Sequence, residues 1–121
     1  MKKLLIVFPL FFLSSLIFAQ QEINIEDAAK HEGDSVRICT KIFGARYFEK
    51  SNQAPTLLNA GAKYPDAPLT IVIFGENRAA FKNKPEEFYP GKNICVTGKI
   101  VMFKDKPEII LTKEDQVTVK E

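Results

Sequence analysis

Eight side chains in this sequence have the chemistry to hold a ligand. Arg46, Tyr47 and Phe48 stand together in "GARYF", and Asn59, Tyr64, Arg78, Lys104 and Lys106 follow at intervals. Cations can neutralise phosphates and exposed rings can stack on bases, the two demands that single-stranded nucleic acid makes of a protein surface. A plainer account exists for several of them. Tyr47 and Phe48 can close the end of a small barrel, and Lys104-Asp105-Lys106 reads as a solvated hairpin turn.

Groups suited to catalysis are sparse. His31 is the only histidine, and it lies just before Gly33 at the expected end of a helical segment, where an imidazole satisfies terminal carbonyls and complements the helix dipole. Without an evident nucleophile and orienting partner it builds no triad. Glu86 and Glu87 are adjacent, so on a helix they point about 100° apart and read as part of a solvated turn. Asp66, in a proline-flanked stretch, reads as a turn former. No CxxC pair and no zinc-ligand spacing can be assembled. The expectation is no catalytic residue, no metal and no cofactor.

The chain opens "MKKLLIVFPLFFLSSLIFAQ": a basic start, an apolar run and a small-residue region, the order of a secretory signal peptide. The run is short for a membrane span and is broken by Pro9, Ser14 and Ser15. Residues 1–19 are therefore expected to be cleaved, with Ala19 the last removed, leaving an exported protein without a stable membrane span, periplasmic or extracellular. Losing Lys2 and Lys3 reduces the 17 basic residues to 15, against 15 acidic ones. A near-neutral protein has no global field to draw in nucleic acid, so any phosphate contact must come from a local patch.

Residues 20–34 read as a helical lead-in, with Asn24 able to cap and Gly33 able to terminate. From Ser35 the period becomes two: Val36, Ile38, Thr40 and Ile42 share one face, and Arg37, Cys39, Lys41 and Phe43 the other. Gly44 permits a bend. "TLLNA" is a second strand, and "LTIVIFG", nearly continuous in apolar character, suits a central strand covered on both sides. The stretch "ENRAAFKNKPEEFYPG" loses the alternation and suggests short helical turns interrupted by Pro85 and closed by Gly91. Asn93 to Phe103, a turn at "KDK", and Pro107 to Thr112 supply two more strands, and "QVTV" extends the sheet or trails along it.

Five strands with a helix between the third and fourth is the order of an OB-fold, a partly open Greek-key barrel. The fold class expected for residues 35–121 is thus mainly β, a five-stranded OB-fold barrel with one short internal helix and a short N-terminal helix. In that topology the first and fourth strands are antiparallel neighbours. Their mutual echo, "VRICTKI" against "ICVTGKI", is then two adjacent strands solving one burial problem. Cys39 and Cys95 lie on the faces opposite the apolar sets, and an even count in an oxidising compartment suggests a disulfide; two packed free thiols are the alternative.

The elements "AAKHEG", "VRICTKI", "APTLLNAGAKYPDAPLTIVIFGENRAAF" and "GKNICVTGKI" with "KDKPEIIL" resemble the OB-fold domain found beside the catalytic domains of secreted bacterial DNA/RNA endonucleases of the YhcR type, which also occurs alone in short exported proteins. The resemblance runs from about Ile25 to Val117 and implies an OB-fold with a nucleic-acid-binding role. It implies no catalysis, because the nuclease and phosphoesterase domains of the larger proteins are absent from this sequence. One departure is Thr40, where the family often has glycine.

Sequence alone therefore points to an exported, monomeric OB-fold module whose second and third strands bind an extended ligand through Arg46, Tyr47, Phe48, Asn59, Tyr64, Arg78, Lys104 and Lys106. Single-stranded DNA or RNA is the first expectation. An envelope-associated protein-interaction module is the second, and a small metal-dependent nuclease or hydrolase the third.

Overall fold

The computed structural model describes residues 20–121. The signal-peptide expectation falls on residues 1–19, outside the described residues. Seven strands form: β1 (Gln21–Glu22), β2 (Ser35–Tyr47), β3 (Thr56–Ala60), β4 (Leu69–Ile73), β5 (Asn93–Phe103), β6 (Lys106–Ile110) and β7 (Val117–Val119). The alternation in sequence becomes burial: Val36, Ile38 and Ile42 of β2 and Ile94, Val96 and Ile100 of β5 are fully inside. β4 buries Leu69, Ile71 and Ile73 inward and nearly all of Val72 on its outer side, as its continuous apolar character requires.

β2 and β5 are long enough to serve two sheets. Their first halves pair antiparallel, from Ser35 opposite Lys99 to Lys41 opposite Asn93, with β1 parallel to the outside of β2 and β7 antiparallel to the outside of β5. Their second halves belong to another sheet, in which β2 pairs with β3, β3 with β4, β4 in parallel with β6, and β6 with β5. The five-stranded expectation is corrected on this point. There are seven strands, and the wall consists of two sheets joined through two bent strands. β1 escaped the sequence reading because two residues are too few to register a period, whereas β7 falls within "QVTV" and extends the sheet along β5.

Each bend has a local cause. The β2–β3 register shifts between Ile42 and Gly44, a bulge of the kind that increases twist and turns a strand from one sheet into the next. In β5, Gly98 faces Ile109 so closely that a Cβ there would sit 2.6 Å from the Ile109 Cγ2, so only glycine fits.

The lead-in is fastened to this body. After β1, residues Ile25–His31 form a 3-10 helix that buries Ala28 completely. Asn24 occupies the cap position without a side-chain bond, and Gly33 follows at φ +84°. Gly33 N donates to Ile100 O, and Ile100 N donates to Asp34 O. The sequence led to the expectation that His31 serves helix carbonyls; its Nδ1 instead lies 3.2 Å from Asp34 Oδ2.

Between β4 and β5 lie a 3-10 helix, Gly75–Ala80, and the single-turn helix α1, Pro85–Phe88. Pro85 opens α1 and does not interrupt a helix, because the first helical position has no intrahelical use for an N–H. Phe81 and Tyr89 anchor this segment in the core. Burial, with the charge of Glu114 added, raises the Tyr89 phenol to about 12.

Cys39 and Cys95 stand opposite each other on β2 and β5 and form a disulfide across a sequence separation of 56. No helix among the described residues is long and apolar enough to cross a membrane.

Candidate binding face

The outer side of the second sheet is organised by register. Gly44, Asn59, Thr70, Glu108 and Val101 occupy paired positions on β2, β3, β4, β6 and β5, forming one row across the strands. Arg46, Leu57, Val72 and Ile110 form the row beside it. At the other end of β6, Lys106 pairs with Phe103, and the two-residue turn Lys104–Asp105 has both residues at positive φ, the geometry that matches strand twist in a tight hairpin. Neighbouring strands are about 4.8 Å apart, so the polar stripe Asn59–Thr70–Glu108 is about 10 Å long.

Of the eight residues expected to touch a ligand, six lie on or around this face. Asn59 is central, and its Nδ2 would lie 3.7 Å from a Cβ at Gly44. Arg46 is exposed at the β2 edge, with its guanidinium 4.9 Å from the centre of the half-buried Phe48 ring. Lys104 and Lys106 are exposed at the opposite edge. Tyr64, 80% exposed, projects from the β3–β4 loop.

The other two, Tyr47 and Arg78, lie away from this face. Tyr47 pairs with the fully buried Thr56, on the inner side of the sheet. The Arg78 guanidinium sits 3.6 Å from the Tyr47 ring centre, donates to the Thr56 hydroxyl, and makes two 3.1 Å hydrogen bonds to the Glu86 carboxylate. These contacts fasten the segment after β4 to the end of the barrel. They also correct the reading of Glu86, which is no solvated turn residue: its side chain and that of Arg78 are each 17% exposed. Burial disfavours its charge, but the Arg78 hydrogen bonds, its own backbone N–H, and the charges of Arg78 and Lys84 outweigh that and lower its pKa. Glu87 remains exposed.

Two residues that sequence reasoning missed belong to the face. Phe103 is 57% exposed, with Lys104 Nζ 5.4 Å from its ring centre; its place at the end of an alternating run was the available signal. Glu108 is half-buried at the middle of the stripe, and burial raises its pKa. A depression beside Cys39, lined by Thr40, Lys41, Asn93 and Lys120, lies on the other sheet. Among the described residues no three His, Cys, Asp or Glu side chains are grouped to hold a metal ion.

No protein-family model matches the chain, and no curated protein matches it. Solved structures do. The chain is similar to yeast Stn1 and Ten1 (TM-score 0.58, 11% identity, covering 87% of this chain and 65% of that one). It is also similar to the Stn1–Ten1 complex of S. pombe (0.52, 17%, covering 71% and 57%). A third is the OBody AM1L10 bound to hen egg-white lysozyme (0.54, 10%, covering 77% and 84%). The chain spans less than two thirds of the Stn1–Ten1 chains it matches. With the topology above, these likenesses make the fold a mainly β OB-fold.

Proposed function

We propose that the protein is an exported OB-fold module that binds single-stranded nucleic acid across the outer side of β3, β4 and β6, with no cofactor and no catalysis of its own. The observation that carries this reading is the layout of the face. A polar stripe is bounded by Arg46 on one side and by Lys104, Lys106 and Phe103 on the other, with Tyr64 in the adjoining loop. Cations at both edges with rings beside them match what a sugar-phosphate strand and its bases require. Export is supported by the Cys39–Cys95 bridge, since disulfides persist in oxidising compartments. The kinship to accessory domains of YhcR-type nucleases, and a monomeric state, belong to this same reading.

A second reading is favoured by the half-buried apolar side chains Leu57 and Ile110, which flank the almost wholly buried Val72 in the same row. An apolar strip with a charged rim is the anatomy of a protein interface, and the structurally similar OBody is bound to a protein. A partner in the cell envelope would then take the place of nucleic acid.

Fluorescence anisotropy with labelled single-stranded oligonucleotides, titrated at two salt concentrations, separates the two. Salt-sensitive binding weakened by Arg46→Ala supports the first reading. The absence of binding at micromolar protein overturns it.

A further inference from the structure

Glu108 is the anomaly of the face. It stands between Thr70 of β4 and Val101 of β5, half-buried, with no hydrogen-bond or ion-pair partner among the described residues. Burial alone accounts for its raised pKa; no neighbouring cation or donor opposes it. Its oxygens stay open to solvent, since no fully buried side-chain oxygen lacks a partner among the described residues, and partial burial makes a donor that reaches them worth more than one at a fully exposed carboxylate. Its neighbours on the stripe, Asn59 and Thr70, offer both donors and acceptors. Glu108 alone offers only acceptors when ionised.

We infer that Glu108 selects among bases, taking those that present amino and imino donors, guanine above all, and rejecting thymine and uracil. This rests on the nucleic-acid reading above and deepens it. Two oxygens of one carboxylate can receive the N1–H and N2–H of guanine side by side, and a single oxygen can receive the amino group of cytosine or adenine. Thymine and uracil present one N–H flanked by two carbonyl oxygens, which the carboxylate repels. The negative charge does not conflict with binding a polyanion. Arg46, Lys104 and Lys106 lie at the edges where a backbone would run, and Glu108 lies between them, where bases would turn inward.

The test compares affinities of the full protein for oligothymidylate, oligodeoxycytidylate and a thymidylate oligomer carrying isolated guanines, all of equal length and at fixed salt. The guanine-bearing oligomer is expected to bind about tenfold more tightly than oligothymidylate, a discrimination typical of one good base contact. Glu108→Gln, whose amide can donate as well as accept, is expected to bring the ratio close to one while leaving the melting temperature no lower. If all oligomers bind equally and Glu108→Gln changes nothing, the selection role is overturned and the nucleic-acid reading survives. If none binds, both fall together.

Discussion

The Arg78 guanidinium sits over the Tyr47 ring, 3.6 Å from its centre, and is held there by the Glu86 carboxylate. One side chain thereby links the long strand β2, the segment after β4, and the helix α1. Removing it leaves the Glu86 carboxylate without its cation, with only its own backbone N–H to serve it. Breaking such a pair from one side costs about 3 kcal/mol or more, so Arg78→Ala is expected to lower the midpoint of chemical denaturation substantially, whereas Glu87→Gln on the neighbouring exposed carboxylate leaves it unchanged. Equal midpoints for Arg78→Ala and the parent protein would refute this account.

The same pair sets an acid limit. The Glu86 pKa lies below its ordinary 4.5, so in the folded state the carboxylate loses its proton more readily than in the unfolded chain. Its stabilisation is complete above about 4.5 and is lost as pH falls through the lowered folded value. Glu86→Gln is expected to flatten the acid side of the stability curve, measured as melting temperature against pH.

Glu108 has the opposite sign. Its pKa is raised above 4.5, so between 4.5 and that raised value the folded protein holds more protons than the unfolded chain, and stability falls as pH rises through the window. Glu108→Gln is expected to melt at a higher temperature than the parent at neutral pH and at the same temperature below 4.5. A gain that persists at low pH would mean that packing, and not charge, accounts for it.

The Cys39–Cys95 bridge closes a long loop, with a sequence separation of 56. In the chain-entropy account such a closure contributes about 4 kcal/mol by restricting the unfolded chain. The double variant Cys39→Ser, Cys95→Ser is expected to unfold at correspondingly lower denaturant, and reductant should shift the parent protein toward it. If the parent unfolds at the same denaturant concentration with and without reductant, the bridge adds nothing.

Binding should report its own contacts. With three phosphates met by Arg46, Lys104 and Lys106, the slope of log affinity against log salt is expected near −2 for a single strand, and Arg46→Ala should reduce it by about 0.7. Phe103→Ala removes a stacking platform and is expected to weaken binding about tenfold or more at any salt, without changing the slope.

Much of the architecture was legible because burial imposes a period. Val36, Ile38 and Ile42 on one face, and the echoing Ile94 and Val96, marked the strands, the OB-fold order of the elements made the two neighbours, and the register places Cys39 opposite Cys95. The shortest piece was illegible for the same reason: Gln21–Glu22 is defined by the long strand it lies against and carries no pattern of its own. The side chains of the candidate face can be named from residue type, but their direction cannot. Tyr47 and Arg46 are adjacent, so the pleat sends them to opposite sides, and the bulge at Ile42–Gly44 decides which: Tyr47 faces inward opposite Thr56 and Arg46 outward beside Leu57. Arg78 reads as a free cation in the sequence, since a separation of eight residues from Glu86 carries no sequence signal of a contact. Glu108 went unremarked because one acidic residue in a strand has no motif.

The alternation along β3, β4 and β6 has a further consequence. Leu58, Ile71 and Ile109 hold the interior together, while Asn59, Thr70 and Glu108 point away from it. Folding and the proposed recognition are thus written on opposite sides of the same three ribbons, so the outer lettering can change one character at a time without rebuilding what keeps the chain folded.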